Sequence, residues 1–242
     1  HIQTYYEVSD VGTFPVRNSP ISLRPKLTSC LNAINYREVF ELLSKLQLTI
    51  YTPTIYIHAS KLHKYLDERE TANFRKGREL GIQRLMSINL LKRMESSVHS
   101  FLLTVRRIYD YLYDTSRIIE DFMENGNGNF EEPGDLSASA EDFDDDDQNT
   151  DFFCVGKSVD LDLHRIDYKS WKRDIDEDLE NLEQLILMVE DITPEYDFKL
   201  NELLRVIREK AAVPINPGNK KILIFTAFSD TAEYLYENVS RM

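Results

Sequence analysis

The sequence predicts a mainly α fold: a multi-helix bundle around one long central helix, followed by a short terminal strand-helix (βα) unit. Three observations carry this. From about Ile82 to Leu112 the residues Leu85, Ile88, Leu91, Met94, Val98, Phe101, Leu102, Val105, Ile108, Tyr109 and Leu112 recur at three- and four-residue steps, the spacing of one continuous helix face. Trp171, Ile175, Leu179, Leu182, Ile186 and Val189 repeat the pattern, as do Phe198, Leu200, Leu203, Leu204, Ile207 and Ala211 after Thr193-Pro194. Finally, Ile222 to Phe225 is an unbroken apolar run between lysines and a Thr/Ser/Asp cluster, which suits a strand covered on both faces.

Taken in order, Ile2 to Val8 is rich in Tyr, Thr and Val and reads as a short strand, and the Pro/Gly/Ser stretch through Pro25 reads as loop. Residues 1–25 therefore stand apart from a helical domain spanning 26–214. Asn35 caps its first helix, with Val39, Phe40, Leu42, Leu43 and Leu46 on the inner side, ended by a β-branched run to Pro53. A shorter helix is expected over Ile55 to Glu70, and Gly77 and Gly81 interrupt the pattern before the long helix. That helix would measure about 45 Å at about 1.5 Å per residue.

Residues 125–160 read as a flexible acidic insertion: Asn-Gly repeats, then Pro133-Gly134, then six acidic residues among the seven from Glu141 to Asp147. After the two later helices, Pro214 to Gly218 links into the terminal unit, 215–242. There Ser229 or Asp230 caps a helix whose first turn carries Glu233 and whose apolar face is Ala232, Leu235, Tyr236 and Val239. One such unit cannot bury its own strand. Its neighbours are expected in sequence beyond this chain, in another domain, or in a second copy that pairs with it as a homodimer.

At 242 residues and 42% hydrophobic content the chain can build a core. No segment approaches the ~20 apolar residues that cross a bilayer, and Gln3, Glu7 and Asp10 do not suit a signal peptide. No membrane partner is expected, and with only Cys30 and Cys154 a reducing cytoplasm is the expected compartment. The net charge of −13 conceals two opposite regions. From His58 to Arg107 there are eleven Lys/Arg against five Asp/Glu, whereas from Ile108 to Glu202 there are seven against 29. On the long helix Lys92, Arg93, Ser96, Ser100 and Arg107 fall roughly opposite the apolar stripe, with Arg84 and Arg106 nearer its flanks. Such a ridge suits phosphate contacts or an interface with another domain, and equally a solvated surface with local salt bridges.

Two blocks resemble a known family. The block Asn89-Leu90-Leu91-Lys92-Arg93-Met94-Glu95-Ser96-Ser97, with Phe101 beyond it, resembles the helix that bacterial Swi/Snf-related superfamily 2 helicases carry between their motor domains. The segment Ile222-Leu223-Ile224-Phe225-Thr226, followed by Asp230-Thr231-Ala232-Glu233-Tyr234-Leu235, resembles motif IV, the first strand and helix of the second RecA-like domain in that family. The order of the blocks fits, and together they cover under a fifth of the chain.

The resemblance implies a helical insertion between motor domains, joined to the start of the second motor, with residues 1–25 as a tail of the first. It implies duplex DNA and the motor domains of the same longer chain as partners, and ATP and Mg as cofactors of that longer protein. It further implies that the helical region helps grip duplex DNA and couple motor movement, for which the ridge residues Arg84, Lys92, Arg93, Arg106 and Arg107 are the candidate contacts, and that Thr226 and Ser229 after the strand lie near the nucleic-acid backbone. Asp230 would repel phosphate, so helix capping suits it as well.

This chain itself has no Walker A, Walker B or arginine-finger motif and is expected to hold no cofactor and to be inactive alone. Gly156-Lys157-Ser158 looks like the end of a P-loop, but Asp151 stands where its first glycine belongs. Asp176-Glu177-Asp178 sits in a helical pattern and reads as a solvated face, not as a Mg²⁺-binding acidic box. The histidines lack metal-ligand spacing, the acidic run lacks the order of a Ca²⁺ loop, and no nucleophile-base pattern is present, so neither a metal site nor a catalytic residue is expected. The competing class is a helical protein-protein interaction scaffold with an acidic loop. Exposure of Lys92, Arg93, Arg106 and Arg107 as one patch favours nucleic acid; their pairing with acidic groups favours the scaffold.

Overall fold

Asparagine at position 35 organises the first helix. Its Oδ1 accepts from the backbone N–H of Arg37 and Glu38 (2.9 and 3.1 Å), while the Glu38 carboxylate accepts from the Asn35 N–H at 3.0 Å. This capping box opens α1, Tyr36–Leu43, which buries Val39, Leu42 and Leu43. Phe40, expected on the inner side, is exposed, because so short a helix turns only one narrow face inward. The structure, a computed structural model, describes residues 15–28, 35–66, 71–126, 129–131 and 160–242. The expected strand Ile2 to Val8, both cysteines, Gly156-Lys157-Ser158 and most of the acidic insertion lie outside the described residues.

No α-helix forms between Ile55 and Leu66; the chain instead makes 3₁₀ turns at Thr49–Tyr51, Pro53–Tyr56 and Leu62–Tyr65. The β-branched residues and Pro53 disfavour regular helix here, and side chains from elsewhere take over the backbone groups. Asp178 accepts from the N–H of Gln47 (2.6 Å) and of Thr49 (3.1 Å), clamping the residues on either side of Leu48. Leu48 is buried at φ +49°, a left-handed conformation costly for a leucine. Asp178 is thus fully buried, which corrects the expectation of a solvated face at that residue, while Glu177 is exposed and Asp176 partly exposed on the same helix.

The single long helix is two. Thr71 caps α2, Ala72–Ser96, through the N–H of Phe74, and α3 runs Val98–Asn125. Between them Ser97 is extended (φ −156°, ψ 149°), its hydroxyl accepting from the Ser100 N–H at 3.1 Å. The apolar spacing continues across the break, so periodicity alone does not reveal it. Gly77 and Gly81 lie inside α2 instead of ending a segment before it.

Asp167 caps α4, Tyr168–Val189, and Asp197 caps α5, Phe198–Ala212, each by accepting from the N–H three residues on. Helix α4 packs along α3 in antiparallel sense, with Glu190 beside Arg106 and Lys172 beside Glu120. Trp171, Phe101, Leu90, Ile108, Leu112, Ile119, Leu163 and Ile175 fill the core, all essentially inaccessible. A two-stranded antiparallel ladder, β1 Asn129–Glu131 and β2 Asp160–Asp162, stands at the edges of the acidic insertion. Mainly helical architecture is thus as expected.

The terminal unit appears only as its helix, α6, Ser229–Ser240. Residues Ile222 to Phe225 join no ladder, and Leu223 and Phe225 are 83% and 89% exposed. A strand needs a hydrogen-bonded neighbour, and none lies alongside among the described residues. Helix α6 is also turned from its expected orientation. It buries Asp230, Thr231 and Tyr234, while Ala232 and Tyr236 face outward and Leu235 and Val239 are half-buried.

Candidate functional site

The end of α2, the first turn of α3, the start of α5 and helix α6 meet where the two most widely separated parts of the sequence pattern come together. Arg93 is the centre. Although it sits on the helix that was read as carrying an exposed basic ridge, its side chain is 2% exposed. Its Nη1 donates to Asp230 Oδ2 at 2.8 Å and to Ser100 Oγ at 3.1 Å, and its guanidinium lies 4.6 Å from the centroid of the Phe228 ring. Asp230 therefore does not cap its helix. The N-cap position belongs to Phe228, which makes no side-chain cap bond, and the acidic group in the first turn satisfies the arginine while also favouring the positive end of the α6 dipole.

Hydroxyl groups extend the contact. Thr231 Oγ1 lies 2.9 Å from both Ser96 Oγ and Ser97 Oγ, and Thr226 Oγ1 lies 3.4 Å from Ser96 Oγ. The Tyr234 hydroxyl donates to Asp197 Oδ2 at 3.0 Å, and its ring stacks on His99 with centroids 4.8 Å apart. Burial first, and then the Asp197 carboxylate, push the Tyr234 phenol well above its usual range, so it remains a neutral donor. Lys199 Nζ donates to the carbonyls of Glu95 and Ser96, closing the C-terminal end of α2; burial lowers its pKa although Glu95 and Asp197 act the other way.

The remaining sequence-predicted residues divide. Arg106 pairs with Glu190 at 3.1 Å on the surface, and Arg107 reaches to 3.9 Å from Asp230 Oδ1. Arg84 and Lys92 are exposed and pair with no acidic group among the described residues. Thr226 is half-buried in the hydroxyl cluster and Ser229 is exposed at the start of α6. The structure therefore brings Arg93, Arg107 and Thr226 to one place, leaves Arg84 and Lys92 on α2, and engages Arg106 elsewhere. No continuous basic ridge exists on these helices.

Sequence reasoning did not find Ser97, His99, Asp197, Thr231 or Tyr234 as parts of this contact. Two signals pointed to it: a Ser-Ser pair inside an apolar period, which marks a helix break, and Asp197 three residues before Leu200, which marks a helix start.

Beside the contact lies a cleft of about 740 Å³ between α2, α5, the extended segment and α6. Leu85, Ile88, Leu203 and Phe225 line it, and Asn89 stands in its wall with a buried Nδ2 that has no hydrogen-bond partner. Among the described residues no three His, Cys, Asp or Glu are grouped to hold a metal ion, and no helix is long and apolar enough to cross a membrane. What the arrangement can do is mechanical: it fixes α6 and the segment before it to the helical bundle through charge and hydroxyl contacts. Comparisons with protein-family models, curated proteins and solved structures give no match.

Proposed function

We propose that the chain is a non-catalytic part of an ATP-dependent DNA helicase or translocase of the Swi/Snf-related type, and that its helical bundle couples movement of the second motor domain to the rest of the machine. The observation that supports this is the Arg93–Asp230 pair. Arg93 lies in the block that resembles the inter-motor helix, Asp230 in the segment that resembles motif IV, and 137 positions apart in sequence they make one buried contact. The orientation of α6 agrees: its polar face is held by the bundle, while Phe225 and Tyr236 face outward, available to the remainder of an α/β domain. ATP and Mg would be held by motor domains, and duplex DNA would be bound by the assembled machine.

Coupling fits the geometry better than direct gripping, since Arg93, Arg106 and Arg107 are engaged with Asp230 and Glu190. That same pairing favours the second reading, a helical scaffold for protein partners. The two separate in the helicase that contains this chain. Arg93→Met or Asp230→Asn should reduce the strand displacement or translocation obtained per ATP hydrolysed, measured with a coupled ATPase assay and a fluorescent duplex substrate. Unchanged coupling in both variants, with the protein folded, would leave the scaffold reading in its place.

A further inference from the structure

Helix α2 carries two features that the bundle itself does not use. Gly77 and Gly81 lie one turn apart on its exposed side, and a Cβ built at either meets nothing within 4 Å. Neither has a positive φ, so neither is required by the backbone. Glycine is the poorest helix former after proline, and an alanine would fit at both positions.

The rest of that side continues the stripe. Phe74, one turn before Gly77, is 66% exposed, and Ile88, two turns after Gly81, is 49% exposed. Arg84 and Lys92 flank Ile88 at four-residue steps on either side and pair with no acid among the described residues. The stripe then opens into the 740 Å³ cleft, where Leu85 and Leu203 offer an apolar seat. Asn89 lines that seat, is 92% removed from solvent and has an amide nitrogen without a partner. A buried amide in this state is satisfied when an incoming group supplies an acceptor oxygen.

We infer that this side of α2 is a docking groove for an amphipathic, acidic helix of a partner protein. Its backbone would cross at Gly77 and Gly81, its apolar side chains would pack on Phe74 and Ile88 and enter the cleft, and its carboxylates would pair with Arg84 and Lys92. The exposed apolar surface at Phe74 and Ile88 favours a protein helix over nucleic acid, because two cations neutralise few phosphates whereas apolar side chains have a seat here. This inference goes beyond the coupling role and does not depend on it, since none of these residues takes part in the Arg93–Asp230 contact.

The probe is a fluorescein-labelled synthetic helix of about five turns, leucine along one stripe and glutamate on both flanks, titrated with the full chain and followed by anisotropy. Saturable one-to-one binding is expected. Gly81→Leu should weaken it by about tenfold or more while the melting temperature does not fall, because the added side chain improves helix propensity and blocks only the approach. The Arg84→Glu, Lys92→Glu double variant should lose the glutamate peptide and gain a lysine-flanked one. Ile88→Asp tests the apolar seat from a surface position that the core does not need. Binding unchanged by Gly81→Leu and Ile88→Asp would overturn the inference. So would duplex DNA displacing the peptide with affinity lost in the same charge variants, which would give the surface to nucleic acid. A concentration-dependent dimer abolished by Gly81→Leu, seen by sedimentation, would give it to a second copy and also overturn it.

Discussion

Arg93 makes the contact on which most else depends, and its energetics follow from burial. A guanidinium this inaccessible is tolerable only because Asp230, Ser100 and the Phe228 ring surround it. Removing one partner of a buried pair leaves the other charged and desolvated, at a cost of about 3–5 kcal/mol. Urea unfolding of Asp230→Ala should therefore show a loss within that range, because the variant leaves Arg93 buried and unpaired with a second cation, Arg107, nearby. A double-mutant cycle with Arg93→Met should return a coupling energy above about 1 kcal/mol; additive losses would mean the two side chains do not interact. The sequence alone places Arg93 among surface cations. A helical wheel correctly placed it off the main apolar stripe of the bundle, but a wheel holds no information on what a segment 137 residues away brings to that side.

Among the elements, the existence of α4 and α5 is legible from their apolar periods and the Thr193-Pro194 boundary, while their Asp caps and the burial of Asp178 are not. The division of α2 from α3 was not, because Ser97 changes the direction of the chain without changing the apolar spacing. Likewise the 3₁₀ turns over 49–65 depend on carboxylates contributed by α4 and α2, a tertiary effect that local propensity cannot show. These acids make a pH prediction. Glu79 is buried and accepts from the N–H and hydroxyl of Thr54, with Arg75 beside it. Burial raises its pKa, and that of Asp178, with their hydrogen bonds and, for Glu79, Arg75 opposing.

A carboxyl with a raised folded-state pKa binds its proton more tightly in the folded chain. Stability from it is therefore greatest below the unfolded value, falls as pH rises toward the folded value, and is level above that. Wild type should lose stability relative to Glu79→Gln as pH rises through and above the usual carboxylate range, measured by urea unfolding at each pH. A constant difference would contradict the assignment. At the glycines, Gly77→Ala and Gly81→Ala should each stabilise the chain by up to about 1 kcal/mol, read as a raised melting temperature.

For the molecule as a whole, the mainly helical fold was legible, while the closing strand was not realised among the described residues. The apolar run Ile222 to Phe225 states a preference for burial, but a strand is a property of a pair, and the run alone cannot supply the second member. Charge behaves similarly. The local excess of Lys/Arg between His58 and Arg107 suggests a basic surface, whereas the fold engages four of the eleven, Arg75, Arg93, Arg106 and Arg107, in ion pairs. Changing Arg84 and Lys92 together to Ala should accordingly alter the salt slope of duplex DNA binding by no more than about 2, the value for two phosphate contacts. A larger change in a fluorescence-anisotropy salt series would show that these two residues anchor a wider DNA surface.

Held through Arg93 and Asp230, α6 and the helical bundle should behave as one mechanical unit. Amide hydrogen exchange of the chain, followed by mass spectrometry in wild type and in Arg93→Met, tests it directly. In wild type α6 should be protected together with the end of α2, and Arg93→Met should release α6 while α4 keeps its protection. Free exchange of α6 in wild type, or its undiminished protection in the variant, would mean that the Arg93–Asp230 contact does not hold the two together.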